Sequence, residues 1–211
     1  MSEFQRRKDT KHLSFLSLKN NTSVAIELSN GRTCLYNPVV KSENSCEALS
    51  SISHLLSPNH YHNKSLLSFN ERFPKASLCA TSTAIKRLGD ITGLKFKSLT
   101  ALKKLLPPEL AFLEPAGLKT GEVWLRFQCG KNTGWVVGDA FCGNKTGTGD
   151  TKTPQLLGTF PSYGIADKQT YKDWVLDRIE KDKPTMIIPC HGSVIINASL
   201  SGKLLALLKK M

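Results

Sequence analysis

Four side chains of metal-binding type, spread over three distant segments, suggest the chemistry that this sequence could perform. His60 and His62 lie two residues apart in the polar stretch "SPNHYHNKS", Asp139 lies in "VVGDAF", and His191 lies in "IIPCHG". Two histidines at this spacing can face the same side of an extended loop. A metal site needs three or four donors that converge on one point. The sequence therefore predicts a metal site at His60, His62, Asp139 and His191, if the fold brings the segments together.

Such a site would activate water. A divalent ion with one open position lowers the pKa of its bound water to about 7 and so yields hydroxide at neutral pH. We expect His60, His62 and Asp139 to hold the ion and His191 to complete the site or orient the water, with Asp139 and His191 as the catalytic residues. The expected cofactor is one divalent metal ion, with zinc favoured over iron or manganese. A site without metal is the alternative.

The elements that must position these side chains follow from hydrophobic periodicity. Alternating segments predict strands at "HLSFLSL", "SVAIEL" and "TCLY", with a hairpin turn at Asn30-Gly31. Further strands are predicted at "ASLCAT", "ELAFLEP", "GEVWLRFQ", "WVVGDAF" and "TMIIPCHG". Apolar residues at helical spacing predict helices over residues 42–56, 65–73, 82–88 and 168–182 and at the C-terminus, and residues 89–108 are expected to be loosely helical. The mixture indicates an α/β (α+β) protein, and 211 residues suit one domain over residues 1–211.

The order of these pieces resembles the metallo-β-lactamase fold superfamily over most of the chain. "GDAF" is similar to the family segment whose aspartate bridges two metals, and "PCHG" is similar to the segment whose histidine is the last ligand. The stretch from "TSVAIEL" to "SLCAT" resembles a branch of that superfamily in which a "PN..H" loop precedes a helix. The resemblance implies a four-layer αββα sandwich with the site at one edge between the sheets.

The chain departs from the ligand pattern of that family. The first family motif is HxHxDH, whereas Lys64 and Ser65 stand here in place of its aspartate and third histidine. Leu118, in "GLKTGEV", stands where the family has the histidine of "GHTxG". The incomplete set implies at most a mononuclear site. Such a site would act on a small ester, lactone, thioester or phosphoester.

Net charge favours an anionic partner. The chain has 29 Lys and Arg residues against 17 Asp and Glu residues, which gives a formal charge of +12. We expect Lys64 and Lys119 to bind an anionic group of a small substrate, and Lys64 could alternatively pair with Asp139. Nucleic acid is a less favoured partner, because the basic residues are dispersed and no aromatic residues are interleaved with them. The sequence does not indicate an oligomeric state.

Three functions stay open at this point. The first is the mononuclear hydrolase. The second is a metal-free, non-catalytic relative that binds a ligand and has a salt bridge or hydrogen bonds among Lys64, Asp139 and the histidines. The third is a protein that binds phosphate or nucleic acid through its basic surface. Residues 143–166, rich in Gly, Thr and Pro, are expected to form a loop that could cover the site, since they follow Asp139 closely.

The compartment expected from the sequence is the cytoplasm, without membrane insertion. No apolar run approaches the roughly 18 residues that a membrane helix needs, and the first residues lack the apolar block of a secretory signal. The six cysteines lie mostly beside apolar residues, without a CxxC motif. We therefore expect buried, reduced thiols.

Overall fold

The computed structural model describes residues 4–7, 10–18, 20–39, 45–46, 49, 51–144 and 150–211. Its strands and helices are, in chain order, β1 (Leu13–Leu18), β2 (Asn21–Glu27), β3 (Thr33–Tyr36), β4 (Ile52–Leu56), α1 (Leu66–Arg72), β5 (Ser77–Cys79), α2 (Ser82–Thr92), α3 (Thr100–Lys103), β6 (Leu110–Leu113), β7 (Trp124–Cys129), β8 (Asn132–Val137), β9 (Asp150–Thr151), α4 (Phe160–Gly164), α5 (Lys168–Asp182), β10 (Met186–Pro189), β11 (Val194–Ile196) and α6 (Leu200–Lys209).

The strands form two mixed sheets. The first has the order β1-β2-β3-β4-β5: the opening meander is antiparallel, and β4 and β5 then run parallel to β3. The second has the order β6-β7-β8-β10-β11-β9, in which β8 and β10 are parallel neighbours. The predicted opening meander is confirmed, as are the strands predicted at β5, β6, β7, β8 and β10.

Three apolar clusters define the layers. The first joins the inner faces of both sheets and includes Ile26 and Tyr36 from one sheet and Phe127 and Ile188 from the other. The second packs α5 and α6 on the outer face of the second sheet, and the third packs α1 and α2 on the outer face of the first sheet. The expected four-layer αββα sandwich is therefore confirmed.

The helix predicted over residues 42–56 is wrong where the structure describes that range. Ile52–Leu56 form β4, which pairs in parallel with β3 on one side and with β5 on the other. Leu55 and Leu56 are both fully buried, because an interior strand of a sandwich is covered on both faces. The apolar residues consequently do not alternate, and their spacing was consistent with a helix. Residues 40–44, 47, 48 and 50 lie outside the described part of the chain.

Two other predictions need adjustment. In the expected loosely helical stretch, α2 extends to Thr92, but only the short α3 follows before β6. The expected loop over residues 143–166 contains β9 and α4, while residues 145–149 lie outside the described ranges, so its suggested cover over the site stays a prediction.

Helix α2 is capped at both ends: the Thr81 side chain accepts a hydrogen bond from the backbone N–H of Ala84, and Gly93 adopts the left-handed conformation.

The cysteine side chains that the structure describes are reduced thiols. Cys34, Cys46, Cys79, Cys142 and Cys190 are buried, as expected. The side chain of Cys129 lies outside the described part. No helix within the described ranges combines the length and apolar character needed to cross a membrane.

Candidate metal centre

Asp139 and His191 are brought together by the register of two neighbouring strands. Val137, the last residue of β8, pairs in parallel with Pro189, the last residue of β10, and each functional residue follows its strand end by two positions. The backbone N–H of Cys190 donates to the carbonyl of Val137 at 2.9 Å, which holds the two loops together. The carboxyl ends of adjacent parallel strands thus place both side chains at one sheet edge.

The third member of the cluster, His62, comes from the other sheet, in the loop between β4 and α1. Its Nε2 atom lies 2.9 Å from Asp139 Oδ1, and His191 Nε2 lies 3.1 Å from the same oxygen. One ligand atom from each of these three residues lies within 4.8 Å of the other two. The Asp139 side chain is 3% exposed, so the cluster has little solvent around its carboxylate. Two imidazoles and a carboxylate therefore converge as one candidate ligand set.

The ring of His62 faces an acceptor oxygen with each of its nitrogens. Nδ1 lies 2.7 Å from Asn37 Oδ1, and the amide nitrogen of Asn37 donates to the carbonyl of Thr22 at 2.8 Å, which determines the orientation of the amide. Nε2 faces Asp139 Oδ1. A neutral imidazole has only one N–H, so it can satisfy only one of these contacts. The other contact requires either a protonated ring or a cation between Nε2 and the carboxylate.

The carboxylate of Asp139 is held in its charged form. Burial on its own would raise its pKa, but hydrogen bonds and positive charge from His191 and His62 outweigh burial and hold the pKa well below its usual range. The second oxygen, Oδ2, accepts a hydrogen bond from Asn59 Nδ2 at 3.0 Å. The charged, oriented carboxylate suits a cation on its remaining side.

Glu122, which the sequence argument missed, supports the loop that carries Asp139. Its carboxylate is 1% exposed and accepts hydrogen bonds from Trp124 Nε1 at 2.6 Å and from the backbone N–H groups of Gly138, Asp139 and Ala140 at 3.2, 2.9 and 3.4 Å. Burial, and then the charge of Asp139, raise the pKa of Glu122 to about 7 against the effect of these donors. Glu122 thus fixes three consecutive peptide groups around the candidate ligand.

Some signal for these missed residues exists in the sequence. Glu122 directly precedes the apolar run "VWL", where a charged residue needs a buried partner. Tyr163 follows "TFPS", and nothing in its sequence surroundings indicates a functional role. Burial, together with the charge of Asp139 and a hydrogen bond to it, raises the pKa of the Tyr163 phenol well above its usual range, so its hydroxyl is neutral. Asn37 and Asn59 likewise act on the cluster through contacts that no spacing reveals.

The structure does not bring His60 into this cluster. The backbone turns at Asn59, whose side-chain oxygen accepts from the N–H of Tyr61 at 2.8 Å and whose carbonyl accepts from the N–H of His62 at 3.3 Å. His60 and His62 consequently line different pockets, and the expectation that they face the same side is wrong. His60 is 6% exposed, and burial together with the positive charge of Arg87 lowers its pKa.

The two lysines also separate. Lys64 is exposed and lines the same pocket as the cluster. Among the described contacts Asp139 pairs with His62 and His191, and no ion pair with Lys64 is found. Lys119 lies in the neighbouring pocket, where its Nζ is 3.3 Å from the carbonyl of Ser162.

Two adjoining pockets open at this edge of the sandwich. The first, here the cluster pocket, has a volume of about 710 Å³ and is lined by the cluster together with Asn21, Asn37, Asn63, Lys64 and Ser65, among others. The second, here the basic pocket, has a volume of about 600 Å³ and contains His60, Thr83, Lys86, Arg87, Asp90 and Lys119. Tyr61 and Tyr163 line both pockets.

Two comparisons at the level of sequence give no match. No protein-family model matches the chain. A search of the curated proteins likewise returns no match. The likeness to known proteins therefore lies in the three-dimensional arrangement of the chain.

Solved structures provide that likeness. A metallo-beta-lactamase from Pontibacter korlensis matches with a TM-score of 0.68 at 11% identity, covering 100% of both chains. A metal-soaked Flv1 flavodiiron core from Synechocystis sp. PCC6803 matches with a TM-score of 0.64 at 11% identity over 99% of this chain, which spans 60% of that core. The flavodiiron protein from Giardia intestinalis has a TM-score of 0.65 at 12% identity and is 59% covered. The chain has the metallo-β-lactamase fold.

Proposed function

We propose that this chain is a hydrolase-like protein that holds one divalent metal ion through His62, Asp139 and His191. The observation that carries the proposal is the double acceptor environment of His62, whose ring nitrogens face Asn37 Oδ1 and Asp139 Oδ1. A cation next to Nε2 removes the conflict, because Nδ1–H can then donate to Asn37. This arrangement, in which a neighbouring oxygen fixes the tautomer of a ligating histidine, is common at metal sites.

The donor set and its spacing fit a small divalent ion. Two ligands bound at about 2.0–2.1 Å in tetrahedral geometry lie about 3.4 Å apart. The separations of Asp139 Oδ1 from the two imidazole nitrogens, 2.9 and 3.1 Å, are close to that value and need only a small outward movement. Two nitrogens and one carboxylate oxygen suit zinc, and also iron or manganese. A bound ion would supply a water molecule acidified to hydroxide.

The surrounding residues hold charge and protons in place for such a reaction. Glu122 and Asn59 keep the Asp139 carboxylate oriented, one through the backbone and one through Oδ2. Tyr163, whose hydroxyl is neutral, lines the same pocket. The exposed ammonium group of Lys64 at the pocket wall would attract an anionic substrate.

The substrate class that we propose is a small, preferably anionic, ester, lactone, thioester or phosphoester. A cavity of about 710 Å³ is in the range that small-molecule sites occupy. The formal charge of +12 supports an anionic substrate. We further propose that residues 1–211 form one domain and that the compartment is the cytoplasm, which the five buried, reduced thiols support.

Metal content measured by elemental analysis of the purified, reconstituted protein tests the site. We expect about one ion per chain in the wild type and loss of that ion in the His62→Ala/His191→Ala double variant. His54→Ala is the matched control, because His54 lies on β4 and its ring contacts Ser53, outside the cluster. A wild type without stoichiometric metal, or a double variant that keeps it, would refute the site. Hydrolysis of small ester and phosphoester substrates then tests the activity.

A metal-free relative that binds a ligand is the second candidate. The direct contacts of Asp139 with His62 and His191 are those that a carboxylate forms with protonated imidazoles, and they favour this alternative. The same elemental analysis separates the two, because a closed ion-pair cluster binds no metal after reconstitution.

A further inference from the structure

Helix α2 presents four polar side chains to the basic pocket. Thr83, Lys86, Arg87 and Asp90 follow the i, i+3, i+4, i+7 spacing of one helical face, and all four line that pocket. The helix is capped at both ends, so this face has a defined position. Lys119, from the segment that precedes β7, lines the same pocket.

The positive charge of this pocket is not neutralised by the protein. Lys86, Arg87 and Lys119 contribute three cationic groups and Asp90 one carboxylate, which leaves a net charge of two. Within the described part of the chain no ion pair joins any of the three cations to a carboxylate, and Lys119 contacts only the carbonyl of Ser162 through its Nζ. The guanidinium of Arg87 lies 5.7 Å from the centre of the Tyr61 ring, and this cation–π contact orients the guanidinium without adding a negative charge to the pocket.

An aromatic wall connects the basic pocket to the cluster pocket. The rings of Tyr61 and Tyr163 pack edge to face with their centres 4.9 Å apart, and both residues line both pockets. Tyr163 and Asp139 both line the cluster pocket. A ligand that extends along these rings would have one end at the candidate metal ligands and the other at Arg87.

We propose that the basic pocket binds a phosphate group, and that this group is the anionic end of the substrate whose reacting bond lies in the cluster pocket. The second half of this statement rests on the proposed hydrolase function, whereas the first half does not. A dianionic phosphate matches the two uncompensated positive charges. The planar guanidinium of Arg87 can donate two parallel hydrogen bonds to phosphate oxygens, and the lysine ammonium groups add point charges.

Calorimetric titration of the full chain with inorganic phosphate tests the binding. We expect one site in the wild type and an affinity loss of about tenfold or more in Arg87→Gln/Lys119→Gln, because charge-assisted hydrogen bonds are removed. The matched control is Lys209→Gln/Lys210→Gln, which removes the same charge from the exposed end of α6, on the opposite outer layer. Equal weakening in both double variants, or none in either, would overturn the proposal.

Two further measurements separate this proposal from the hydrolase. The His62→Ala/His191→Ala variant should bind phosphate like the wild type, even if the protein holds no metal. If that variant loses phosphate binding while Arg87→Gln/Lys119→Gln keeps it, phosphate lies in the cluster pocket and the proposed site is wrong. If the chain hydrolyses esters, Arg87→Gln/Lys119→Gln should raise KM for a phosphate-bearing ester and leave KM for a neutral ester unchanged. Equal KM changes for both esters would refute the link between the pockets.

Discussion

Asn37 determines which nitrogen of His62 is available to a ligand. The Asn37 side-chain oxygen lies 2.7 Å from His62 Nδ1, while its amide nitrogen is committed to the Thr22 carbonyl, so the amide cannot rotate without losing a buried hydrogen bond. Asn37 itself has a φ of 56°, in the left-handed region that asparagine tolerates better than most residues. Asn37, at the end of β3, thus presents a hydrogen-bond acceptor to Nδ1 of His62, and Nε2 of His62 is left to coordinate a metal.

Replacement of Asn37 by glycine should weaken metal binding about 10- to 100-fold, the usual effect of removing a group that orients a ligating histidine. Glycine accepts the positive φ, so the change reports on the lost side chain and adds little backbone strain. Competition with a chromophoric chelator measures the affinity. Asn30→Gly, in the exposed turn between β2 and β3, is the control. Wild-type affinity in Asn37→Gly would mean that this contact does not position His62.

Glu122→Gln should lower the free energy of unfolding by about 1–3 kcal/mol, because an amide NH₂ group then faces buried N–H donors that lose their acceptor. Trp124 Nε1 and the N–H groups of residues 138 and 140 donate to Oε1, and the N–H of residue 139 donates to Oε2. The glutamine amide replaces one of these two oxygens. Urea denaturation measures the change. Glu114→Gln removes an exposed carboxylate that pairs with Lys103 and should change stability by less than about 1 kcal/mol. Equal effects of the two substitutions would contradict the supporting role of Glu122.

The pH dependence of stability should show the titration of Glu122 in the metal-free protein. Its pKa is raised from 4.5 to about 7, mainly by burial, so between these pH values the folded state retains a proton that the unfolded state releases. The corresponding stabilisation is complete below pH 4.5 and is lost as the pH rises through 7. We therefore expect the free energy of unfolding of the wild type to fall between about pH 5 and about pH 7.5 by more than that of Glu122→Gln. Urea titrations of both proteins at the two pH values measure the difference. Parallel pH profiles for the two proteins would contradict the raised pKa.

Asp139 should act in the opposite direction at lower pH. Its pKa is held below 3.8 by His191 and His62 despite burial, so the stabilisation it provides is present above pH 3.8 and is lost as the pH falls through the folded-state value. The Asp139→Asn variant of the metal-free protein should therefore lose less stability than the wild type on acidification below pH 3.8. Acid unfolding followed by circular dichroism measures this difference. An unchanged acid midpoint would argue against the ion pairs of the cluster.

Gly121 links the candidate site to helix α2, and its replacement by alanine should destabilise the protein. Gly121 has a φ of 64°, and an added Cβ would lie 2.5 Å from Thr81 Oγ1 and 2.7 Å from the backbone nitrogen of Ala84. We expect a loss of about 1–3 kcal/mol from overpacking in addition to backbone strain. Gly31→Ala separates the two terms, because Gly31 has a φ of 75° with no atom within 4 Å of the added Cβ. Thermal unfolding of both variants measures the difference, and equal losses would contradict the predicted clash.

Much of the framework of this protein follows from local sequence. The opening strands are predictable because alternate residues, such as Val24 and Ile26, face the core between the sheets. Asp139 and His191 are recognisable as candidates because each follows closely on a predicted strand, β8 or β10. Patterns of this kind depend on residue spacing along one element. They are visible in the sequence because the periodicity of a strand or helix determines which side chains share a face.

Tertiary contacts determine which side chains form the site and how each of them is oriented. His60 and His62 diverge because the hydrogen bonds of Asn59 turn the backbone between them. The apolar spacing of β4 predicts a helix because that strand is covered on both faces and its apolar residues do not alternate. Glu122 joins the site through the backbone N–H groups of residues 138–140, which lie 16 to 18 residues away in the chain. Hydrogen bonds between distant segments leave no periodic pattern in the sequence, so the orientation of each ligand became known only from the folded arrangement.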